Sequence, residues 1–266
     1  MRSIEWLQYY RWVSQQPLTV VDVETTGSLA YNSRIMEISV LQATLEDGIL
    51  HQQTDLINPQ MVIPARITQI TGISQEMVSG APLSEEILPD YLPLLRSGVL
   101  TAHNLEFDYA FLRVEAARLG SILLKPASEQ LCTVQLARLL LTELPSRSLP
   151  DLVRHFRFDV AESHRAKADT LACWLLAKRL LLEILNEPDE LLLARFGQQW
   201  IPLKEAAKLL GCSPKAGRSR LEAAGITARS AKRRSSTVMY RRGEVERLYE
   251  DLHKPQEEPL QSSLFD

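Results

Sequence analysis

Runs of apolar and β-branched residues alternate with polar turns along the first hundred residues. Residues 18–24 (LTVVDVE) are almost continuously apolar and predict a buried strand. Residues 34–45 and 49–57 repeat this pattern on either side of an acidic turn at 46–48, which predicts an antiparallel meander. A further strand is predicted at 98–104.

Apolar residues then recur at helical spacing, which predicts a series of helices. Their ranges are 65–70, 84–96, 107–120, 133–142, 148–155 and a longest helix from about 168 to 186. Strands followed by mixed strands and helices indicate an α/β or α+β sheet domain. The polar stretch NEPDE at 186–190 predicts its boundary.

A second, smaller pattern begins near Trp200. Two short helical segments flank the turn Gly211-Cys212-Ser213-Pro214, and a β-pair near 236–241 and a helix at 243–252 follow. The predicted organisation is an N-terminal extension (1–17), a sheet domain (18–186), a linker (187–200), a small module (201–253) and a disordered tail (254–266).

Charge divides the chain in the same places. The 266 residues carry a net charge of −3, but residues 1–199 have 17 Lys/Arg against 24 Asp/Glu. Residues 200–250 have 12 against 5, and the last 16 residues have 1 against 4. The small module is therefore basic, which favours an anionic partner.

Composition also excludes some classes. No apolar run approaches the roughly 20 residues that span a bilayer, so no membrane association is expected. The first residues lack the continuous apolar stretch of a signal peptide, and three isolated cysteines predict free thiols and not a disulfide framework or zinc site. These features predict a cytoplasmic protein.

Two carboxylates interrupt the predicted strand at 18–24. Asp22 and Glu24 are two residues apart and therefore project from the same face of the strand. Two like charges on a half-buried face are costly unless a cation neutralises them, which suggests a metal site. A strand end where both groups reach water, or a pairing with an arginine, is the alternative.

Two further stretches contain residues that are able to join such a site. Asp108 follows a predicted strand-to-helix turn, where simple capping of the helix is the alternative role. Asp169 begins the longest helix, and His164 precedes it in a loop, where a histidine is commonly only a surface group.

The order of these stretches resembles a known family. DVETTG (22–27), HNLEFD (103–108) and HRAKAD (164–169) resemble the three motifs of the DnaQ-like exonucleases of the DEDDh group, which includes the proofreading epsilon subunit of bacterial replicative polymerases. The resemblance covers about residues 18–186. It implies a ribonuclease H-like fold, a mixed sheet flanked by helices, and metal-dependent 3′→5′ exonuclease activity.

The resemblance also implies roles for individual residues. Two divalent cations, Mg²⁺ or Mn²⁺, would be held by four carboxylates, and His164 would be the general base. The metal ligands would be Asp22, Glu24, Asp108 and Asp169. The terminal nucleotide would contact Thr25, Thr26, Asn104 and Phe107.

The stretch KEAAKLLGCSPKAGRSRLEAAGI resembles the winged helix-turn-helix modules of the excisionase and MerR type. This resemblance and the basic charge predict contact with DNA phosphates, whereas docking on another protein surface is the alternative. The residues expected to contact DNA are Lys215, Arg218, Arg220, Arg233 and Arg234.

The last residues, QSSLF at 261–265, resemble the bacterial sliding-clamp-binding peptide. Gln261 would hydrogen-bond at a pocket rim, and Leu264 and Phe265 would fill an apolar groove. The expected function is therefore a DNA 3′→5′ exonuclease of replication proofreading or repair that acts on single-stranded 3′ ends. An RNA-trimming exonuclease and a non-catalytic DNA-binding or tethering protein remain as alternatives.

Overall fold

The computed structural model describes residues 1–160, 165–230 and 238–254. Its contacts divide the chain into two compact units. The larger unit is Trp6–Leu192, and the smaller consists of Met1–Glu5 and the residues from Leu193 onward. None of the described helices is long and apolar enough to span a bilayer.

A mixed five-stranded sheet forms the centre of the larger unit. Its strands are β1 (Leu18–Thr25), β2 (Ile35–Thr44), β3 (Gly48–Leu56), β4 (Val99–Ala102) and β5 (Gln130–Cys132). They lie in the order β3-β2-β1-β4-β5. The pairs β1–β2 and β2–β3 are antiparallel, and β1–β4 and β4–β5 are parallel. The predicted meander and the predicted mixed sheet are thereby confirmed.

Helices flank this sheet, as the fold prediction requires. They are α1 (Ser3–Val13), α2 (Ala65–Thr71), α3 (Gln75–Ser79), α4 (Ser84–Arg96), α5 (Leu105–Arg118), α6 (Thr133–Leu140), α7 (Leu149–Phe156), α8 (Ala166–Asn186) and α9 (Asp189–Gly197). Val21 and Val23 of β1 pack into one apolar cluster with residues of α4 and α5. Because side chains alternate along a strand, Asp22 and Glu24 project to the other face. The helix α8 packs against β1 and β2.

The smaller unit has its own sheet and its own core. Its elements are β6 (Trp200–Pro202), α10 (Leu203–Leu209), α11 (Pro214–Ala223), β7 (Arg229–Ser230), β8 (Val238–Arg241) and α12 (Arg242–His253), with strand order β6-β8-β7. Ile201, Leu221 and Tyr240 are among its buried core residues. Arg242 is 2% exposed and forms ion pairs with Glu205 of α10 and Glu246 of α12.

The structure differs from the predicted boundaries at both ends of the sheet domain. The range 1–17 contains α1, whose Leu7, Tyr10 and Val13 are buried. The predicted linker contains α9, and the division between the units falls inside that helix. Near the β-pair predicted around 236–241, the strand β8 pairs with both β6 and β7. The predicted tail falls almost wholly outside the described residues.

Candidate active site

Three of the predicted carboxylates meet at the end of β1. Asp22, Glu24 and Asp169 each offer an oxygen, and these oxygens lie within 4.8 Å of one another. The first two share a face of β1, and Asp169 lies in the first turn of α8. Carboxylates separated by about 145 residues along the chain are therefore adjacent in space, as a hard-cation site requires.

The fourth carboxylate lies beside these three and is the most buried of the set. Asp108 is 3% exposed and sits in the first turn of α5. Its Oδ1 accepts a hydrogen bond from the backbone N–H of Val23 at 3.2 Å. That N–H belongs to the residue between Asp22 and Glu24, so the bond ties α5 to the strand that carries the other two carboxylates.

Burial and mutual repulsion make it costly to ionise the carboxyl groups of this site. Burial, and then the charges of Asp169 and other nearby carboxylates, raise the pKa of Glu24 from 4.5 to about 8. Burial and the neighbouring Asp108 and Asp169 carboxylates raise the pKa of Asp22 well above its ordinary value. A divalent cation among these oxygens would lower the cost of ionising them together, so the donor set fits a metal site.

The two threonine hydroxyls at the end of β1 make hydrogen bonds within the protein, and Thr26 Oγ1 donates to Met61 Sδ at 3.3 Å. Thr25 Oγ1 donates to the carbonyl of Gly27 at 2.8 Å, and Thr26 Oγ1 accepts from the backbone N–H of Arg34 at 3.0 Å. Both threonines are buried. These hydrogen bonds therefore stabilise the backbone that follows Glu24.

The other predicted nucleotide contacts lie at the start of α5. Asn104 is exposed and adopts a left-handed conformation with φ 79°, directly before the helix. Phe107 is half-buried, and its ring centroid lies 5.0 Å from that of Phe111. Asparagine is one of the few non-glycine residues that adopt this conformation readily.

The neighbouring His103 is excluded as a general base by its hydrogen bonds. Its Nε2 is 2.9 Å from the carbonyl of Arg147, and its Nδ1 is 2.9 Å from Thr133 Oγ1. A carbonyl only accepts, so Nε2 carries a proton and is not free to take another. Burial lowers the pKa of His103 to about 4, which keeps it neutral at physiological pH. The predicted base, His164, lies outside the described residues.

One ion pair at this site was missed by sequence reasoning. Glu37 on β2 is paired in register with Glu24 and is 1% exposed. Its carboxylate binds Arg165, which precedes α8, with a shortest distance of 2.6 Å. The signal was present in the sequence, because Glu37 is an acid within the apolar stretch IMEISVL, an anomaly like that of Asp22 and Glu24.

In the smaller unit, three predicted DNA contacts lie on α11. Lys215, Arg218 and Arg220 are all exposed, although Arg220 also donates to the carbonyl of Leu210 at 3.3 Å. Arg233 and Arg234 lie outside the described residues, as do the three residues of the predicted clamp-binding peptide, Gln261, Leu264 and Phe265.

Comparisons with known proteins agree with this geometry. The family model for exonucleases (RNase_T) matches residues 19–176, which include all but the first residue of β1, all of α5 and the first half of α8. The chain is 30% identical over 169 residues to the DNA polymerase III subunit epsilon of Aquifex aeolicus, a match that covers 63% of this chain and 80% of that protein.

Two longer proteins contain a similar segment. The chain is 33% identical over 171 residues to the PolC-type DNA polymerase III of Clostridium perfringens, covering 64% of this chain but only 12% of that protein. It is 32% identical over 193 residues to the 3′-5′ exonuclease DinG of Bacillus subtilis, covering 71% of this chain and 20% of that protein. The chain thus spans a small part of these two relatives.

A solved structure shows the same fold. Exonuclease I of E. coli in complex with a dT13 oligonucleotide superimposes with a TM-score of 0.55 at 17% identity, over 62% of this chain and 40% of that one. The family match, the Aquifex relative and the four carboxylates lead to one conclusion. The chain belongs to the exonuclease family, within its DnaQ-like group.

Proposed function

We propose that this protein is a metal-dependent 3′→5′ exonuclease that hydrolyses phosphodiester bonds of DNA from the 3′ end. The proposal is carried by the oxygens of Asp22, Glu24 and Asp169, which lie within 4.8 Å of one another. Asp108 is hydrogen-bonded to β1, the strand that contains Asp22 and Glu24. A purely structural role does not explain four carboxylates at one place, because burying like charges together destabilises the fold.

The ligand set suits Mg²⁺ or Mn²⁺, because these hard cations prefer carboxylate oxygens. Two such ions would supply the positive charge that the attacking and leaving oxygens of a phosphodiester require. By resemblance to the family, Asp22 would contact both ions. Glu24 and Asp169 would complete one site, and Asp108 would serve the second.

The chain's own residues would bind and orient the substrate. The backbone of the Thr25–Thr26 turn would hold the terminal 3′ hydroxyl, and Phe107 and Asn104 would form a wall beside the last nucleotide. His164 would remove the proton from the attacking water, a role that suits a side chain with a pKa near neutrality. These roles are what the family motifs imply for the matching residues of this chain.

Digestion of a 3′-labelled oligonucleotide in Mg²⁺ or Mn²⁺ tests the proposal. We expect release of mononucleotides by the unaltered protein and none by Asp22→Asn or Asp169→Asn. The control is Asp90→Asn, which removes one exposed carboxylate from α4 and should leave the rate unchanged. No release by the unaltered protein in either metal would favour the non-catalytic alternative.

The choice of DNA over RNA rests on the basic smaller unit and on the relatives, two of which are named as DNA polymerase III proteins. The catalytic motifs themselves do not distinguish the two nucleic acids. Parallel digestion of single-stranded DNA, mismatched duplex DNA and RNA tests this choice. Faster digestion of RNA would support the RNA-trimming alternative.

The smaller unit is proposed to bind DNA phosphates through α11. Residues 200–250 carry a net charge of +7, and Lys215 and Arg218 are exposed there. Each lost phosphate contact should lower the dependence of log K on log salt by about 1. We therefore expect a slope smaller by about 2 in the variant Lys215→Gln/Arg218→Gln. An unchanged slope would favour docking of this unit on a protein.

The chain end is proposed to bind the sliding clamp through Gln261, Leu264 and Phe265. The proposal rests on the sequence QSSLF alone. Deletion of 261–266 should remove clamp binding in a surface plasmon resonance experiment and leave oligonucleotide digestion intact. Equal clamp affinity before and after the deletion would contradict this role.

A further inference from the structure

A buried acid next to the candidate metal centre has no role in the proposed chemistry. Glu37 on β2 is 1% exposed and is the cross-strand partner of Glu24. A fully buried carboxylate is costly unless it is paired and hydrogen-bonded. Its partners therefore indicate what it does.

Both oxygens of Glu37 are used by residues at the start of α8. Oε1 accepts from Nε and Nη2 of Arg165 at 3.1 and 2.6 Å. Oε2 accepts from the backbone N–H of Ala166 at 2.8 Å and lies 3.2 Å from Arg165 Nε. The bond to Ala166 is short, and the contact with Arg165 is bidentate, so the geometry is specific.

These bonds cap α8 from another element of the fold. Arg165 occupies the N-cap position but makes no side-chain capping bond, so the cap comes from Glu37, 129 residues away in sequence from Ala166. A carboxylate there also interacts favourably with the helix dipole. The carbonyl of Arg165 in turn accepts from the N–H of Asp169 at 3.1 Å. One turn of helix thus joins Glu37 to a metal-binding carboxylate.

We propose that Glu37 is a positioning residue that holds the first turn of α8 so that the Asp169 carboxylate stays within reach of Asp22 and Glu24. The role rests on the metal centre proposed above. Glu37 adjoins Glu24 but is not itself a ligand, because Arg165 and Ala166 occupy its oxygens. Arg165 therefore also keeps a fifth carboxylate out of the metal site.

Two variants test whether the geometry of the Glu37 side chain, and not only its negative charge, supports metal binding. Glu37→Asp keeps the charge but shortens the side chain by one methylene, so it no longer reaches Ala166 and Arg165 together. Glu37→Met/Arg165→Met removes both charges and leaves the net charge unchanged. Replacing an ion pair by apolar residues of similar volume is often neutral for stability, so this variant should fold.

The test is the Mn²⁺ affinity of the full chain, measured by calorimetric titration without nucleic acid. We expect affinity to fall about 10–100-fold in both variants, the usual effect of losing a partner that orients a metal ligand. The control is Glu115→Asp on α5. Glu115 is also 1% exposed and pairs with two arginines, Arg34 at 2.8 Å and Arg118 at 2.7 Å, yet it does not contact α8. Its Mn²⁺ affinity should equal that of the unaltered protein.

Unaltered Mn²⁺ affinity in Glu37→Asp and in the double variant would overturn the positioning role. An equal loss in Glu115→Asp would also overturn it, because the effect would then follow from any weakened core. Absence of Mn²⁺ binding by the unaltered protein would instead contradict the metal centre itself. The two failures are therefore distinguishable.

Discussion

Replacing Asp108 by asparagine removes a buried ionisable carboxyl group and keeps the shape of the side chain. The amide oxygen of the new residue can still accept the hydrogen bond that Val23 N–H donates at 3.2 Å. The change therefore isolates the electrostatic cost of the carboxylate. We expect the metal-free protein to become more stable and to lose its stabilisation by Mg²⁺.

The gain in stability expected for Asp108→Asn follows from the pKa of Asp108. Burial, and then the charge of Asp169, raise the pKa of Asp108 from 3.8 to about 8. In the unfolded chain the group loses its proton near 3.8, so between these pH values the unfolded state binds fewer protons than the folded state. Stability then falls as pH rises through this window, by about 1.4 kcal/mol per unit.

At pH 7 the raised pKa of Asp108 lowers the free energy of unfolding of the metal-free protein by at most about 4 kcal/mol. The neighbouring carboxylates share this cost, and their relaxation reduces it. Even a quarter of the bound, about 1 kcal/mol, raises the Tm of a domain of this size by about 2–4 °C. The raised pKa of Glu24 acts in the same direction.

Thermal unfolding in EDTA and in Mg²⁺, at pH 5 and pH 7, tests these expectations. The unaltered protein in EDTA should be more stable at pH 5 than at pH 7, and Asp108→Asn should reduce that difference. Mg²⁺ should raise the Tm of the unaltered protein by binding the folded state, and should raise that of the variant much less. A variant that is less stable than the unaltered protein in EDTA at pH 7 would refute the reasoning.

Two further predictions concern catalysis and the backbone. His164→Ala should lower the digestion rate about 10²–10⁴-fold, the usual effect of losing a general base, and should leave Mn²⁺ affinity unchanged; a rate within threefold of normal would exclude the role. Gly98→Ala should destabilise the fold by more than about 2 kcal/mol in urea, because Gly98 has φ 55° and a Cβ there would lie 2.5 Å from the carbonyl oxygen of Pro17. The matched change Gly120→Ala has the same backbone strain at φ 68° but open space around the Cβ, so it should cost only about 1 kcal/mol. Equal costs at the two glycines would contradict the steric argument.

Much of the site could be predicted from local patterns. The period of two in a strand is enough to place Asp22 and Glu24 on one face, and helix-start signals are enough to place Asp108 and Asp169 in first turns. The structure has both features. Local patterns contain no information on which distant segments meet. Only the resemblance of the motif order to the family predicts that these segments form one site.

Features that depend on distant contacts were not predictable in this way. Glu37 stands out as an acid in an apolar strand, but nothing nearby in sequence identifies Arg165 as its partner, 128 residues away. The helix α1 shows apolar residues Leu7, Tyr10 and Val13 at intervals of three, a pattern that was obscured by its many aromatic and polar neighbours. The strand β5 has only three residues, too few to show any period.

The sequence separation of the carboxylates has a consequence for the synthesis of the protein. The meander β1–β2–β3 is local and is complete in the chain by Leu56, whereas Asp169 is added about 145 residues after Glu24. At about 5–20 residues per second, that interval lasts on the order of 7–30 s. During it the nascent chain already displays the first acidic pair but lacks both the last ligand and the helix that holds it. Nuclease activity should therefore appear only when the sheet domain is nearly complete.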